Sequence, residues 1–195
     1  MPSTRSSGTA MNARRSDTRE RIQQVALELF AEQGYEKTSL REVAERLEIT
    51  RPALYYHFKA KEDILTSVLD DLNASMDELM NWALAQPHTA EARQGILRRI
   101  AGLLDDQWRP LVRFAQVNQA VMSEVDAGEQ MQHRMLSMIS VLATPGDGIV
   151  QQFESRLAVI ALILGSLPFP VGLDVPDEER AATALIVATK LISGG

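Results

Sequence analysis

Cysteine is absent from the 195 residues of this chain. Disulfide bridges, thiolate metal sites and a cysteine nucleophile are therefore excluded. Histidine is also scarce, with three copies that do not cluster with other metal-ligating residue types, so we expect no metal site and no cofactor. No Ser-His-Asp set and no pair of carboxylates stands out either. The sequence thus does not indicate an enzyme.

Long apolar runs are nearly absent, and the longest covers residues 157–173. Its 17 residues reach the lower limit for a membrane span, but Pro168 and Pro170 interrupt it. We interpret residues 157–167 as a buried helix and expect no membrane partner. No apolar run follows the arginines near the N-terminus, so we expect no signal peptide.

Charge is unevenly distributed along the chain. The formal net charge is −6, which taken whole argues against binding to nucleic acid. Residues 1–61, however, hold eleven basic and eight acidic residues and carry +3, which leaves −9 on the remainder. Such asymmetry between a mildly basic head and an acidic body suggests that the two have separate roles.

Apolar residues recur at helical spacing along most of the chain, and no strand pattern of period two is present. Residues 1–16 are polar and are expected to form a flexible N-terminal arm. A first helix is predicted from a cap at Asp17 to a stop at Gly34, and a long fourth helix from Lys61 to about Ala85. We predict an all-α protein with a three-helix head at 17–61, joined by the long helix to a helical body at 62–195.

Two capping signals define the middle of the head. Ser39 to Glu42 reads as a capping box that opens a second helix, and Thr50 can cap a third with Pro52 in its first turn. The tight turn around Glu48 and Ile49 joins these two short helices. This is helix-turn-helix geometry, in which the second helix of the pair is free to enter a DNA major groove.

The outer side of the third helix carries residue types that bind DNA, namely Arg51, Ala53, Tyr55, Tyr56 and His57. Arginine can contact guanine O6 and N7, while tyrosine hydroxyls and histidine can reach phosphates. The N-terminus of the second helix, with Thr38 and Ser39, can hold a phosphate as well. Two alternatives stay open: Tyr55 packs against the first helix, or the head is only a structural unit with a charged face.

Four parts of the head carry a resemblance to a known family, namely the residues from Thr38 to Ala44, Leu47, the run from Leu54 to Phe58, and Lys61. In these parts the sequence resembles the TetR family of bacterial repressors. The resemblance implies base contacts at the start of the third helix, phosphate contacts from its aromatic residues and Lys61, and a backbone contact from the second helix. Arg14 and Arg15 lie in the arm that touches DNA in some members. The implied DNA-binding residues are Thr38, Ser39, Arg41, Thr50, Arg51, Pro52, Ala53, Tyr55, Tyr56, His57 and Lys61.

The head departs from the family pattern at two positions. Glu48 replaces the usual turn glycine, which costs ~1 kcal/mol if the backbone there needs a positive φ. Ala60 replaces a Ser or Asp and cannot cap the fourth helix. Neither change removes a DNA contact.

The resemblance further implies that a small effector binds among the middle helices of the body. Methionine stripes at helical spacing can be core or can line a plastic apolar pocket. Asn118 interrupts an apolar stripe, either as a satisfied core amide or as a polar hook in the pocket. The candidate ligand-binding residues are Met80, Trp82, Trp108, Phe114, Asn118, Met122, Met138 and Phe153.

The last two predicted helices are too apolar for a single chain. Residues 157–167 are apolar on every side, and one helical layer cannot bury them. We predict a four-helix interface between two copies of the chain. Its candidate residues are Leu157, Ile160, Leu164, Leu185, Ala188 and Ile192.

These observations predict a homodimeric regulator of transcription in the bacterial cytoplasm, at the nucleoid. It would be a repressor that a small apolar or amphipathic effector releases from a palindromic operator. Two alternatives remain: a ligand-binding body whose head only contacts other proteins, and a small-molecule enzyme.

Overall fold

The computed structural model describes residues 6–118, 121, 128–144, 146–166 and 175–193. These segments are helical or form the connections between helices, and none of them is a strand. The predicted all-α class is therefore confirmed.

The head is built from α1 (Ser6–Gln33), α2 (Leu40–Arg46) and α3 (Arg51–His57). The start of α1 differs from the prediction, because residues 6–16 are helical and not a flexible arm. Asp17 consequently lies inside α1 and does not cap it. Residues 9–15 contain Ala, Met and Arg, which are good helix formers, and extending an existing helix is far easier than nucleating one.

The predictions at Gly34, Ser39 and Thr50 are confirmed. Gly34 ends α1 with φ +92°, a conformation that glycine adopts without strain. The Ser39 hydroxyl accepts the Glu42 backbone N–H at 3.3 Å, and the Ser39 N–H donates to the Glu42 carboxylate at 2.8 Å. Thr50 caps α3 by accepting the Ala53 N–H at 3.3 Å. These bonds satisfy the first N–H groups of two short helices.

The long helix α4 runs from Lys61 to Leu84, close to its predicted span. After it come α5 (Ala90–Leu103), a π-helical segment (Leu104–Trp108) and α6 (Arg109–Val117). These three are continuous along the chain. The π segment ends two residues before Pro110, which has no N–H for the α-helical ladder, so the wider turns accommodate a residue that would otherwise break the helix.

The remaining described helices are α7 (Gly128–Ser140), α8 (Ile149–Ser166) and α9 (Asp177–Ile192). In the described part of the chain α8 is the one helix long and apolar enough to cross a membrane, a test that core helices of soluble proteins also pass. It packs against α9, and Ala158, Val159 and Leu162 are buried.

The chain divides into two compact units. The first comprises residues 1–70 and 114–121, and the second comprises residues 71–113 and 122–195. Because of this division, α4 begins in the first unit and ends in the second, and α6 runs the opposite way. The first unit thus holds the predicted head, the start of α4 and the end of α6.

Gly165 on α8 should be intolerant of any side chain. A Cβ there would overlap the Cβ of Ala184 on α9 and lie 3.3 Å from the Arg180 carbonyl oxygen. We expect Gly165→Ala to lower the free energy of unfolding by about 1–3 kcal/mol in urea titrations followed by circular dichroism.

Gly102 provides the matched control, because a Cβ there meets nothing within 4 Å. Gly102→Ala should raise the free energy of unfolding by about 0.5–1 kcal/mol, since alanine is the better helix former. Equal effects of the two substitutions would contradict the close packing of α8 on α9.

Candidate functional site

The start of α3 presents an open polar surface. Arg51, Pro52 and Ala53 are all exposed, and Arg51 forms no hydrogen bond or ion pair with the described part of the chain. Its guanidinium is therefore available for a partner. On the opposite side of the helix, Leu54 and Phe58 are fully or almost fully buried and anchor it. An arginine displayed in this way on a rigid short helix suits the reading of base edges.

The aromatic residues of α3 are exposed as well. Tyr55 is 44% exposed and Tyr56 is 62% exposed. The Tyr56 ring meets His57 edge to face, with 5.4 Å between ring centroids. The exposure of Tyr55 favours an outward role over the alternative of packing against α1. Large exposed aromatics with polar tips are suited to phosphate contacts.

The turn between α2 and α3 fixes the angle between them. Glu48 has φ 55°, so the positive φ considered from the sequence is present. The Ile49 N–H donates to the Ala44 carbonyl at 3.0 Å, which closes the turn. A left-handed residue other than glycine is strained by roughly 1 kcal/mol or somewhat more, and the surrounding packing holds it.

Two predicted phosphate contacts at the start of α2 are already occupied. Thr38 is buried, and its hydroxyl donates to the Gly34 carbonyl at 2.9 Å and meets the Gln33 amide at 3.2 Å. The hydroxyl of Ser39 pairs with Glu42, and this bond together with the Ser39 N–H holds the pKa of the Glu42 carboxyl below its usual value. The prediction that Thr38 contacts a phosphate is corrected, because its hydroxyl is not accessible. At Ser39 the negatively charged Glu42 carboxylate occupies the position predicted for a phosphate.

Lys61 also differs from its predicted role. Its ammonium donates to the Tyr35 carbonyl at 2.8 Å, lies 4.2 Å from the centre of the Tyr35 ring and 3.8 Å from the Glu36 carboxylate. Its side chain is only 20% exposed. The prediction of a phosphate grip is corrected: this lysine fastens the start of α4 to the turn after α1. Arg41 stays exposed, paired with Glu45 at 2.6 Å.

Two residues near the end of α3 were missed in the sequence. The Asp63 carboxylate accepts the N–H groups of Lys59 at 3.0 Å and Ala60 at 2.9 Å, so it caps α4 although Ala60 cannot. Lys59 is exposed, and its ammonium donates to the Tyr55 carbonyl at the end of α3. An acidic residue three places after Ala60 and a lysine beside Phe58 were the signals that could have revealed them.

Asn118 is the connecting residue of the first unit. Its Oδ1 accepts the Tyr35 N–H at 2.7 Å, and its Nδ2 donates to the carbonyls of Phe30 at 3.0 Å and Phe114 at 2.9 Å. The amide is buried and its bonds are made, as in the core-amide alternative. Beside it, the buried ring of Tyr35 contacts Phe30 and Phe114, with centroids 4.9 and 6.1 Å away.

The tyrosine at this junction is held in its neutral form. Burial is the largest cause that raises the pKa of the Tyr35 hydroxyl, and a hydrogen bond to Glu62 adds to it. Tyr35 therefore stays neutral throughout the physiological range. Its side chain serves packing and not ionisation.

The candidate effector residues are divided between the two units. Phe114 and Asn118 belong to the first unit, where their bonds and packing are already used. In the second unit Met138 is buried, and Trp82 is half-buried below the Arg99 guanidinium, 4.4 Å from its ring centre. Met80 and Trp108 are also half-buried, Phe153 is exposed on α8, and Met122 lies outside the described residues.

The predicted dimer residues mostly lie on exposed or half-exposed faces. Leu157 and Leu164 are exposed on α8, while Ile160, Leu185 and Ile192 are half-exposed. Ala188 is fully buried within the chain, so its assignment to an interface is corrected. The exposed apolar residues of α8 and α9, which we call the apolar stripe, are Ile149, Val150, Phe153, Leu157, Leu164, Ile186 and Val187.

Comparison with known proteins identifies the head. The family described as "Bacterial regulatory proteins, tetR family" matches residues 22–68, which span the C-terminal part of α1, both short helices and the start of α4. A helix-turn-helix domain with an exposed third helix defines a class of DNA-binding regulators. In residues 22–68 the chain therefore has the DNA-binding head of the TetR family.

Two relatives show at least 30% identity over part of the chain. The regulator AcrR of Shigella flexneri is 41% identical over 63 residues, which are 32% of this chain and 29% of that protein. The A-factor receptor protein of Streptomyces griseus is 30% identical over 107 residues, 48% of this chain and 39% of that protein. The matches thus span well under half of these two relatives.

A solved structure extends the similarity of fold beyond the head. The ketosteroid transcriptional regulator KstR2 of Mycobacterium tuberculosis superposes with a TM-score of 0.53 at 17% identity. The match covers 89% of this chain and 93% of that one. The helical body therefore has the architecture seen in a regulator, which is a likeness of fold alone.

Asn118 should be essential for the stability of the first unit. In Asn118→Ala the buried Tyr35 N–H loses its partner, and we expect the free energy of unfolding to fall by about 1–3 kcal/mol in urea titrations. Gln24→Ala is the control, since Gln24 is an exposed amide bonded to Glu28 one turn on, and its loss should change stability by at most about 0.5 kcal/mol. Equal losses in both variants would contradict the role of Asn118.

Proposed function

We propose that this chain is a DNA-binding regulator of transcription and acts as a repressor. The observation that carries the proposal is the exposed, unpaired Arg51 at the start of α3, within a capped helix-turn-helix of the TetR family. In this reading α3 enters the major groove. Arg51, Pro52 and Ala53 then face base edges, and Thr50 lies at the entry of the helix.

Phosphate contacts around α3 would come from the exposed aromatic pair, from His57 and from Lys59. The ammonium of Lys59 already lies at the end of α3, and an exposed lysine can bind a phosphate as a point charge. Arg41 on α2 can join them by exchanging its exposed partner Glu45 for DNA, because surface ion pairs are weak. The acidic body disfavours other orientations of the duplex.

The regulator would act as a homodimer on a palindromic operator. The apolar stripe of α8 and α9 supports this, since a second copy would remove its exposed leucines, valines and isoleucines from water. A two-fold axis would place two reading helices in successive major grooves, about 34 Å or somewhat more apart. The site of action would be the nucleoid in the bacterial cytoplasm.

A small amphipathic effector would release the operator. It would bind in the second unit, where Met80, Trp82, Trp108 and Met138 are buried or half-buried. One similar protein carries a receptor function in its name, the A-factor receptor protein. Because α4 and α6 each run from one unit into the other, an effector that favours one arrangement of these helices would shift the population of head positions.

Arg51→Ala should reduce specific DNA binding. We expect a loss of about 1–3 kcal/mol, roughly tenfold to hundredfold, and a relaxed base preference at one operator position. The operator is first recovered by selection from genomic fragments, and affinity is then measured by fluorescence anisotropy on it and on its single-base variants.

Arg46→Ala is the matched control for Arg51, since Arg46 is an exposed head arginine paired with Glu32 at 3.1 Å. It should leave the base preference unchanged. Unaltered affinity and preference in Arg51→Ala would reject the assignment of α3 as the reading helix. Absence of any salt-dependent DNA binding by the native chain would reject the regulator altogether.

Leu164→Glu should dissociate the dimer. A carboxylate on the apolar stripe would be desolvated in the interface, so we expect a monomer at micromolar concentration by light scattering. Leu136→Glu, at an exposed leucine of α7 outside the stripe, should remain dimeric. A native chain that is monomeric at the same concentration would rule out this interface.

A further inference from the structure

Among the described residues, three buried donor atoms of the π-helical segment and the first residue of α6 make no hydrogen bond, although one of them contacts an ion-pair partner. They are the indole Nε1 of Trp108 and the Nε and Nη2 atoms of Arg109. Leaving such donors unpaired is costly, and more so for a charged group. π-Helical segments inside α-helices are frequent at functional sites. The three atoms therefore call for a functional explanation.

The environment of Arg109 explains why its charge is incompletely compensated. Its side chain is 11% exposed, and its ion-pair partner Asp105, one turn earlier, is 51% exposed. Although Asp105 approaches Nη2, that nitrogen makes no hydrogen bond. The Asp105 carboxylate thus stays largely in water, while the Arg109 guanidinium is largely buried away from water. Burying a cation with so little hydrogen bonding is unfavourable unless something else binds it.

The geometry of the guanidinium indicates what would bind. Nε and Nη2 form one edge of the planar group, and two parallel N–H bonds from one edge match the two oxygens of a carboxylate. The Trp108 indole is likewise a donor and has no acceptor. The Arg109 Nε and the Trp108 Nε1 atoms thus require acceptor oxygens, and Nη2 can exchange its exposed partner Asp105 for one. The positive charge favours an anionic group over a neutral one.

We propose that Arg109, with Trp108 as a further donor, binds the carboxylate of an amphipathic acid, and that the effector is such an acid. The inference rests on the effector-binding function proposed above for the second unit, to which both residues belong. It adds the chemical class of the ligand and the residue that selects it. The apolar part of the acid would pack against the methionine and tryptophan side chains of the same unit.

Isothermal titration calorimetry on the full-length chain tests the proposal with three acids of different shape: decanoate, 4-phenylbutyrate and cholate. Each is compared with the neutral alcohol in which a hydroxymethyl group replaces the carboxylate. We expect at least one acid to bind tenfold or more tightly than its alcohol. Arg109→Met should abolish this preference, and Trp108→Phe, which keeps the ring and removes the N–H, should weaken acid binding severalfold.

Arg113→Met is the matched control, because Arg113 lies one turn further along α6, is exposed and pairs with Asp177. It should retain the preference for the acid. Arg109→Lys is the second variant in case Arg109→Met does not fold. It keeps the charge, loses the two-pronged edge, and should lose most of the preference.

The outcomes separate this inference from the proposed function. If no acid binds more tightly than its alcohol, or if the Arg109 variants keep the preference, Arg109 is a structural ion-pair partner of Asp105 and the proposal is overturned. Operator binding by the head is measured on the same samples. Intact DNA binding together with equal binding of acids and alcohols would reject the carboxylate site and leave the regulator standing.

Discussion

The packing of the first unit depends on Tyr35, a residue in the turn after α1 that makes contacts through its backbone N–H, its carbonyl and its ring. Tyr35 donates its backbone N–H to Asn118, accepts the Lys61 ammonium on its carbonyl, and packs its ring against Phe30 and Phe114. These partners come from three places in the chain. Phe30 belongs to α1, Lys61 is the first residue of α4, and Phe114 and Asn118 belong to α6 and the residue after it. Because Gly34 already turns the chain with a positive φ, these bonds decide where α2 starts. The reading helix α3 follows α2 through a closed turn, so its position depends on the same junction.

The contacts of these side chains show that the net positive charge of the head does not by itself locate a DNA-binding surface. Residues 1–61 carry +3, yet several of the cations serve the fold and not DNA. Lys61 is bound by Tyr35 and Glu36, and Arg46 pairs with Glu32. Base contacts need donors that are free when DNA arrives, whereas phosphate contacts can also use exposed cations, such as Arg41 and Lys59, that exchange a weak surface partner. By that criterion the surface is defined by Arg51, with the aromatic residues of α3 around it, and net charge is a poor guide to it.

The features that could be predicted from the sequence are those decided within a few residues. The Ser39 capping box, the Thr50 cap and the strained turn at Glu48 all depend on bonds between residues one to five places apart. The role of Lys61 and the partners of Asn118 could not be predicted, because Tyr35 lies 26 and 83 residues away from them in the chain. A lysine that follows a reading helix has the same local pattern whether it binds phosphate or a carbonyl. Only the tertiary packing decides between the two. Likewise, the pattern of α9 marks Ala188 as apolar but does not say which apolar residues its own chain buries.

The continuity of α6 gives the two units a physical connection. The helix begins at Arg109, whose Nε makes no hydrogen bond with the described residues, and the residue after its end is Asn118, which holds Tyr35. It spans nine residues, about 13 Å, of which 109–113 belong to the second unit and 114–117 to the first. A ligand can move an equilibrium only by binding its two states unequally. A charged group with unmet hydrogen bonds can produce a large difference in ligand affinity between two states, because its free energy changes greatly when a ligand satisfies those bonds. The cost of leaving Arg109 unsatisfied in the free protein is therefore what would make an acid at that position an effective switch of the helix that ends at the head.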